Sequence, residues 1–152
     1  MRLSGKKLSP LVLLFGLVLA LVARADAPTG SIFVELVGLK NAEGTVYIAV
    51  YDSEDNWLSD DTVLERGVDI AEAREGDTVR TELQLPLGDY ALSVFYDING
   101  NGDLDTNFIG LPKEPIALSN NARAKFGPPK YEDAVFTLGF EPVIQRIDIK
   151  QL

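Results

Sequence analysis

Asp97, Asn99, Asn101, Asp103 and Asp105 stand at alternate positions in Asp97-Ile98-Asn99-Gly100-Asn101-Gly102-Asp103-Leu104-Asp105. Oxygen-bearing side chains spaced this way around glycines can wrap a hard cation, and calcium takes about six to eight oxygens. In a helix-flanked EF-hand loop the ligands come from the first, third and fifth residues, with glycine at the sixth. Asp97, Asn99, Asn101 and Gly102 fill those slots, Asp105 falls at the ninth, and Asp103, at the seventh, would offer its backbone carbonyl. The slot that carries a bidentate glutamate in an EF-hand holds Phe108, and no helical pattern flanks the run. The expectation is a calcium turn following a β-strand, with calcium as a structural cofactor. The competing reading is a hydrogen-bonded Asn-Gly turn. Three aspartates drawn into one short loop favour a counterion.

Other side chains carry weaker signals. Asn120, Asn121 and Arg123 could form a polar pocket for a carboxylate or sugar, with Arg123 as a planar fork. The favoured alternative is loop anchoring, with the asparagine side chains bonding backbone groups and Arg123 pairing with a carboxylate. Tyr47, Tyr51, Trp57, Tyr96 and Tyr131 could form a sugar-stacking platform, and Trp57, in a polar loop, is expected to be the exposed member. The pairs Asp60-Asp61 and Glu132-Asp133 could in principle run glycoside hydrolysis.

Absences narrow the chemistry further. The chain has no cysteine and no histidine. That removes disulfides, thiolate metal sites and cysteine nucleophiles, and it takes away the usual base of a serine nucleophile. No neutral-range base accompanies the candidate cation loop, which favours a structural ion.

Arg2, Lys6 and Lys7, the apolar run Leu11–Ala23 and the small-residue pattern Ala23-Arg24-Ala25 read as a signal peptide over 1-25. The run is too short for the ~20 residues of a membrane span. Export to the periplasm or the medium is expected, with no membrane attachment after cleavage. Removing residues 1–25 and their four positive charges leaves 127 residues with 10 basic and 23 acidic side chains, a formal charge of −13. So acidic a surface disfavours nucleic acid and favours cations.

The elements that must position these residues read as strands between turns. Runs at 32–37 and 45–51, separated by Gly38 and Asn41-Ala42-Glu43-Gly44, look like a hairpin. Further strands are expected at 67–71, 78–85, 91–96, 134–138 and 143–149. The strand at 91–96, apolar on both faces, is expected to be central and to deliver Asp97 into the loop. Residues 26-152 are thus read as one all-β domain, a single β-sandwich of about seven strands, immunoglobulin-like or prealbumin-like, with a long irregular crossover over 98–133. The apolar residues of that crossover, Phe108, Ile109, Leu111, Ile116, Leu118, Phe126 and Tyr131, are expected to pack on the sandwich.

Gly88-Asp89-Tyr90-Ala91, the Asp97–Asp105 run, Asn107-Phe108-Ile109-Gly110-Leu111-Pro112-Lys113-Glu114, Ser119-Asn120-Asn121-Ala122-Arg123 and Phe126-Gly127-Pro128-Pro129-Lys130-Tyr131 occur in this order. The succession resembles the exported bacterial proteins grouped as domain of unknown function 2141, across Ile32 to Leu152. The resemblance implies export and a small β-rich domain, and it implies no activity. Tyr96 stands where the resemblance leads one to expect histidine. Pro115-Ile116-Ala117-Leu118 replaces a more glycine- and aromatic-rich stretch.

The function expected from these features is that of an exported, non-enzymatic β-sandwich. It would bind calcium structurally and present a surface to another macromolecule or a glycan. The alternatives are a small carboxylate- or metal-dependent periplasmic hydrolase and a carbohydrate-binding module.

Overall fold

Strict alternation sorts each long strand into a buried and an exposed row. In β1 (Thr29–Val37) Ile32, Val34 and Leu36 are fully buried, and in β2 (Thr45–Tyr51) Val46, Ile48 and Val50 are buried in the same way. In β5 (Thr78–Pro86) Val79, Leu83 and Leu85 point inward while Arg80, Glu82 and Gln84 face solvent. One buried row per strand demands a second sheet to cover it. The computed structural model, which describes residues 27–150, supplies that cover as two packed sheets. The proposed signal peptide over 1-25 lies outside the described residues.

The first sheet has the order β4-β5-β1-β9 and the second β3-β2-β6-β7, with β8 also pairing β6. The remaining elements are β3 (Leu64–Asp69), β4 (Arg74–Glu75), β6 (Gly88–Asp97), β7 (Ile116–Leu118), a 3-10 turn (Ser119–Asn121), the one-turn helix α1 (Tyr131–Ala134), β8 (Phe136–Leu138) and β9 (Val143–Asp148). The all-β sandwich therefore stands, with nine strands rather than about seven. The seven expected strands are all present, and the two added ones, β4 and β7, are two and three residues long. Strand β6 is central as expected, flanked by β2 and β7.

The hairpin expected between β1 and β2 does not form. Strand β1 pairs antiparallel with β5 and parallel with β9, whereas β2 pairs with β3 and β6. The connection between them crosses from one sheet to the other over the end of the sandwich, burying Leu39 and Ala42. Gly38 makes the crossing possible, since its φ is +93° and a Cβ there would collide with the Ile149 carbonyl. Arg74 fixes the crossing chain through Nη2, which donates to the carbonyls of Leu39 at 3.0 Å and Ala42 at 2.8 Å.

The crossover over 98–133 is less irregular than expected. Ile116–Leu118 form β7 on β6, Ser119–Asn121 form the 3-10 turn, and Thr106 bridges Pro112. Its apolar residues are also divided. Leu118 is buried and Tyr131 half-buried, but Phe108, Ile109, Leu111, Ile116 and Phe126 are exposed, Phe108 at 98%. Among Asn107–Pro112 the Asn107 side chain organises a tight turn by accepting Ile109 N–H and Leu111 N–H, each at 3.0 Å. That turn holds its apolar residues out toward solvent instead of folding them onto the sandwich. Among the described residues no helix is long and apolar enough to cross a membrane.

Candidate functional site: the Asp97–Asp105 loop and its buried support

Strand β6 ends at Asp97, whose side chain turns back under the loop that follows and is 3% exposed. Its Oδ1 accepts Gly100 N–H at 2.7 Å and its Oδ2 accepts Gly102 N–H at 2.9 Å. Gly102 adopts φ +83°, a conformation glycine takes without strain. The two asparagines form local turns of the kind their short side chains favour. Asn99 Oδ1 accepts Asn101 N–H at 3.0 Å, and Asn101 Oδ1 accepts Asp103 N–H at 2.9 Å. Their amide groups both face Asp105. Asn99 Nδ2 donates to Asp105 Oδ2, and Asn101 Nδ2 lies 3.4 Å from Asp105 Oδ1.

The alternate residues thus come together, with a difference from the expectation. Asn99, Asn101 and Asp105 meet through their side chains, and Asp97 joins them through the backbone amides of Gly100 and Gly102. Asp103 is exposed and enters the network by its backbone N–H alone. Among the described residues no three acidic side chains gather as a metal-holding group. Repulsion among the three aspartates is therefore smaller than the sequence suggests, because amide donors already face Asp97 and Asp105. The loop has lone pairs to spare, since each Asp97 oxygen takes one backbone hydrogen. A cation beside Asp105 would have to displace the two asparagine amides and meet their oxygens instead.

Sequence reasoning missed the residue that supports this loop. Glu114 is 4% exposed, and its carboxylate accepts Ile98 N–H at 2.9 Å and Asp105 N–H at 3.1 Å. It clamps the two ends of the loop together, and Lys113 N–H donates to the Asp105 carbonyl at 2.8 Å beside it. No spacing rule points to Glu114. The available signal was its place between two prolines in Pro112-Lys113-Glu114-Pro115, directly before Ile116.

Asn120 and Asn121 are loop anchors. Both have positive φ, at 56° and 51°. Asn120 Nδ2 donates to the Val135 carbonyl at 2.9 Å, and its N–H donates to Gln145 Oε1 at 2.9 Å. Asn121 binds the edge of β9, donating from Nδ2 to the Arg146 carbonyl at 3.0 Å and accepting Asp148 N–H at 2.8 Å. Arg123 is exposed, joins neither asparagine and, against the expectation, makes no ion pair with a carboxylate among the described residues. Their neighbour Ser119, not singled out from sequence, is fully buried and bridges β6 to α1. Its Oγ accepts Leu92 N–H at 2.9 Å and donates to the Ala134 carbonyl at 2.6 Å.

Trp57 is half-buried rather than exposed. Its Nε1–H donates to the Pro129 carbonyl at 2.9 Å, and its ring lies edge-on to Tyr51 at 5.2 Å and to Tyr131 at 5.8 Å. Tyr47 instead stacks on Phe95, and Tyr96 Oη donates to the Glu43 carbonyl. Tyr51 and Tyr131 therefore pack edge-on around Trp57, while Tyr47 and Tyr96 make separate contacts, so the five form no common platform. Burial pushes the Tyr51 hydroxyl above its ordinary pKa, partly opposed by its contact with Ser93. Lys130 Nζ donates to the Glu132 carboxylate at 2.9 Å and holds that carboxyl below its ordinary pKa, the reverse of what a general acid needs.

The family model described as "Uncharacterized protein conserved in bacteria (DUF2141)" matches residues 34–145, and the chain belongs to that family. No curated protein and no solved structure matches the chain.

Proposed function

We propose that this member of the DUF2141 family is an exported, non-enzymatic β-sandwich that binds calcium through the Asp97–Asp105 loop and works by contact with another macromolecule. The observation that supports calcium is the meeting of Asn99, Asn101 and Asp105 at one point, with Asp97 bonded into the same loop by two glycine amides. The ligand set is then the side-chain oxygens of Asp97, Asn99, Asn101 and Asp105, the Asp103 carbonyl, and water. The ion's role is structural, since it would replace the amide contacts that now hold the loop closed. Export rests on the N-terminal charge and apolar pattern.

Thermal melting in EDTA, in millimolar calcium and in millimolar magnesium tests this reading. At about ten times Kd a single site adds roughly 1.4 kcal/mol, or a few degrees of melting temperature. Calcium is expected to raise the melting temperature selectively, and Asp105→Asn to remove the rise while leaving the EDTA value nearly unchanged. An equal melting temperature in all three solutions would sink the calcium reading.

A further inference from the structure

Asn99-Gly100 and Asn101-Gly102 are the only two Asn-Gly pairs in the chain, and both lie in the same loop. Asparagine before glycine is prone to deamidate, because no side chain hinders attack of the glycine nitrogen on the asparagine side-chain carbonyl. In that reaction the glycine N–H gives its proton to hydroxide or water, and the nitrogen bonds to Cγ. The Cγ–Nδ2 bond breaks, and Nδ2 leaves as ammonia with a proton taken from water. A second water opens the cyclic imide at either carbonyl, leaving aspartate or isoaspartate.

In the imide, Cγ takes the place that the amide hydrogen held. In both pairs one buried side chain already faces that place. Gly100 N–H points at Asp97 Oδ1, 2.7 Å away, and Gly102 N–H points at Asp97 Oδ2, 2.9 Å away. A carboxylate against each nitrogen also opposes loss of its proton, since the amide anion would meet a like charge. The other reacting groups are held too. Asn99 Oδ1 is fixed on Asn101 N–H and Asn101 Oδ1 on Asp103 N–H, so each side-chain carbonyl is tied to the second residue onward instead of its own glycine. Both Nδ2 groups face Asp105. Residues 99 to 102 are nonetheless exposed to water, and a Cβ at Gly100 would meet only open space. The closed geometry, not shielding from water, withholds the reaction.

We infer that the Asp97–Asp105 loop is a masked self-modification site. Closed on Asp97, it keeps Asn99 and Asn101 intact, and each opening releases them to become acidic residues by loss of ammonia. The change runs one way. An aspartate at 99 or 101 sets a carboxylate where an amide donor now faces Asp105, so a bond that closed the loop becomes a repulsion. Opening is thereby recorded as added negative charge, and a loop that has reacted once closes less readily afterwards. None of this rests on the calcium reading.

Incubation in EDTA at mildly alkaline pH, with peptide-resolved mass spectrometry, follows deamidation at each asparagine in the native protein and in guanidinium. The native protein is expected to react roughly tenfold or more slowly at Asn99 and Asn101 than the unfolded chain. Hydrogen exchange at the Gly100 and Gly102 amides should be slowed by the same factor to within about threefold, because both reactions wait for one opening. Asp97→Ala, checked for folding by exchange at the β1 and β5 amides, should bring the native rates to within about threefold of the unfolded ones. Asn99→Asp, which installs one product directly, should melt a few degrees lower in EDTA. Native rates equal to the unfolded rates, slowing without exchange protection at the two glycines, a folded Asp97→Ala as slow as wild type, or an unchanged melting temperature in Asn99→Asp would each overturn the inference. Should Asp97→Ala fail to fold, the wild-type comparisons decide. A calcium-dependent melting shift, present or absent, bears on the calcium reading alone.

Discussion

The carboxylate of Glu114 accepts the backbone hydrogen of Asp105 across the base of the loop, at 3.1 Å, while its other oxygen holds Ile98. Both bonds are charge-assisted and almost fully shielded from water. Glu114→Gln keeps the shape but turns one acceptor into a donor, so one backbone N–H faces a donor whichever way the amide sits. The expected loss is about 1–3 kcal/mol. A lowered denaturant midpoint at unchanged slope would register it.

Ser119 carries a comparable burden in the core. Ser119→Ala leaves Leu92 N–H and the Ala134 carbonyl without their shared partner. A loss of about 1–3 kcal/mol is expected. A change within a few tenths would show that another group replaces the hydroxyl.

Asn121 combines a backbone requirement with an edge-capping amide, and two substitutions separate them. Asn121→Gly keeps the left-handed conformation and loses the bonds to Arg146 and Asp148. Asn121→Ala loses both. Hydrogen exchange at the Asp148 amide should accelerate in each variant, and Asn121→Ala should be the less stable by roughly 1 kcal/mol. Unchanged Asp148 protection in both would remove this cap from the account of β9.

Trp57 is the only tryptophan, so its fluorescence reports one place. Held between Tyr51 and Tyr131, it should resist acrylamide quenching until the fold melts. Trp57→Phe keeps a ring but loses the bond to Pro129, at a cost of about 0.5–1.5 kcal/mol. Free quenching of the native protein would contradict the packing described.

Lys130 and Glu132 give a pH signature. The hydrogen bond and charge of Lys130 lower the Glu132 pKa, and those of Glu132 raise that of Lys130. The acid's contribution is present above the unfolded glutamate pKa and is lost as pH falls through the folded value. The base's contribution is full below the unfolded lysine pKa and is lost as pH rises through the folded value. Lys130→Met should return Glu132 to its ordinary titration, followed by carboxyl NMR. At so exposed a site the melting temperature should hardly move.

β-rich runs between turn residues were enough to place β1, β2 and β9, and period-two alternation placed β5, because it reports which side chains of a strand are buried. It does not report which sheet a strand joins. Two runs separated by a glycine-containing turn satisfy a hairpin and a sheet-to-sheet crossing equally well. Gly38 against the Ile149 carbonyl decides for the crossing, and that contact spans the chain. Local chemistry likewise revealed the loop residues Asp97 to Asp105 and the anchoring role of Asn120 and Asn121. Glu114 and Ser119 were hidden because their partners lie far away in sequence or on backbone atoms. The exposure of Phe108, Ile109 and Leu111 was hidden too, since apolar character alone does not set burial.

Strands β1 and β9 run parallel over Ile32–Val37 and Val143–Asp148. The chain enters this pair at one end and leaves it at the other. A pull on the two ends of the domain therefore drags the strands lengthwise past each other, loading the bonds between them together instead of unzipping them in turn. The same pairing that completes the first sheet makes it a mechanical clamp, and stretched between two tethers the domain would yield abruptly, at that seam.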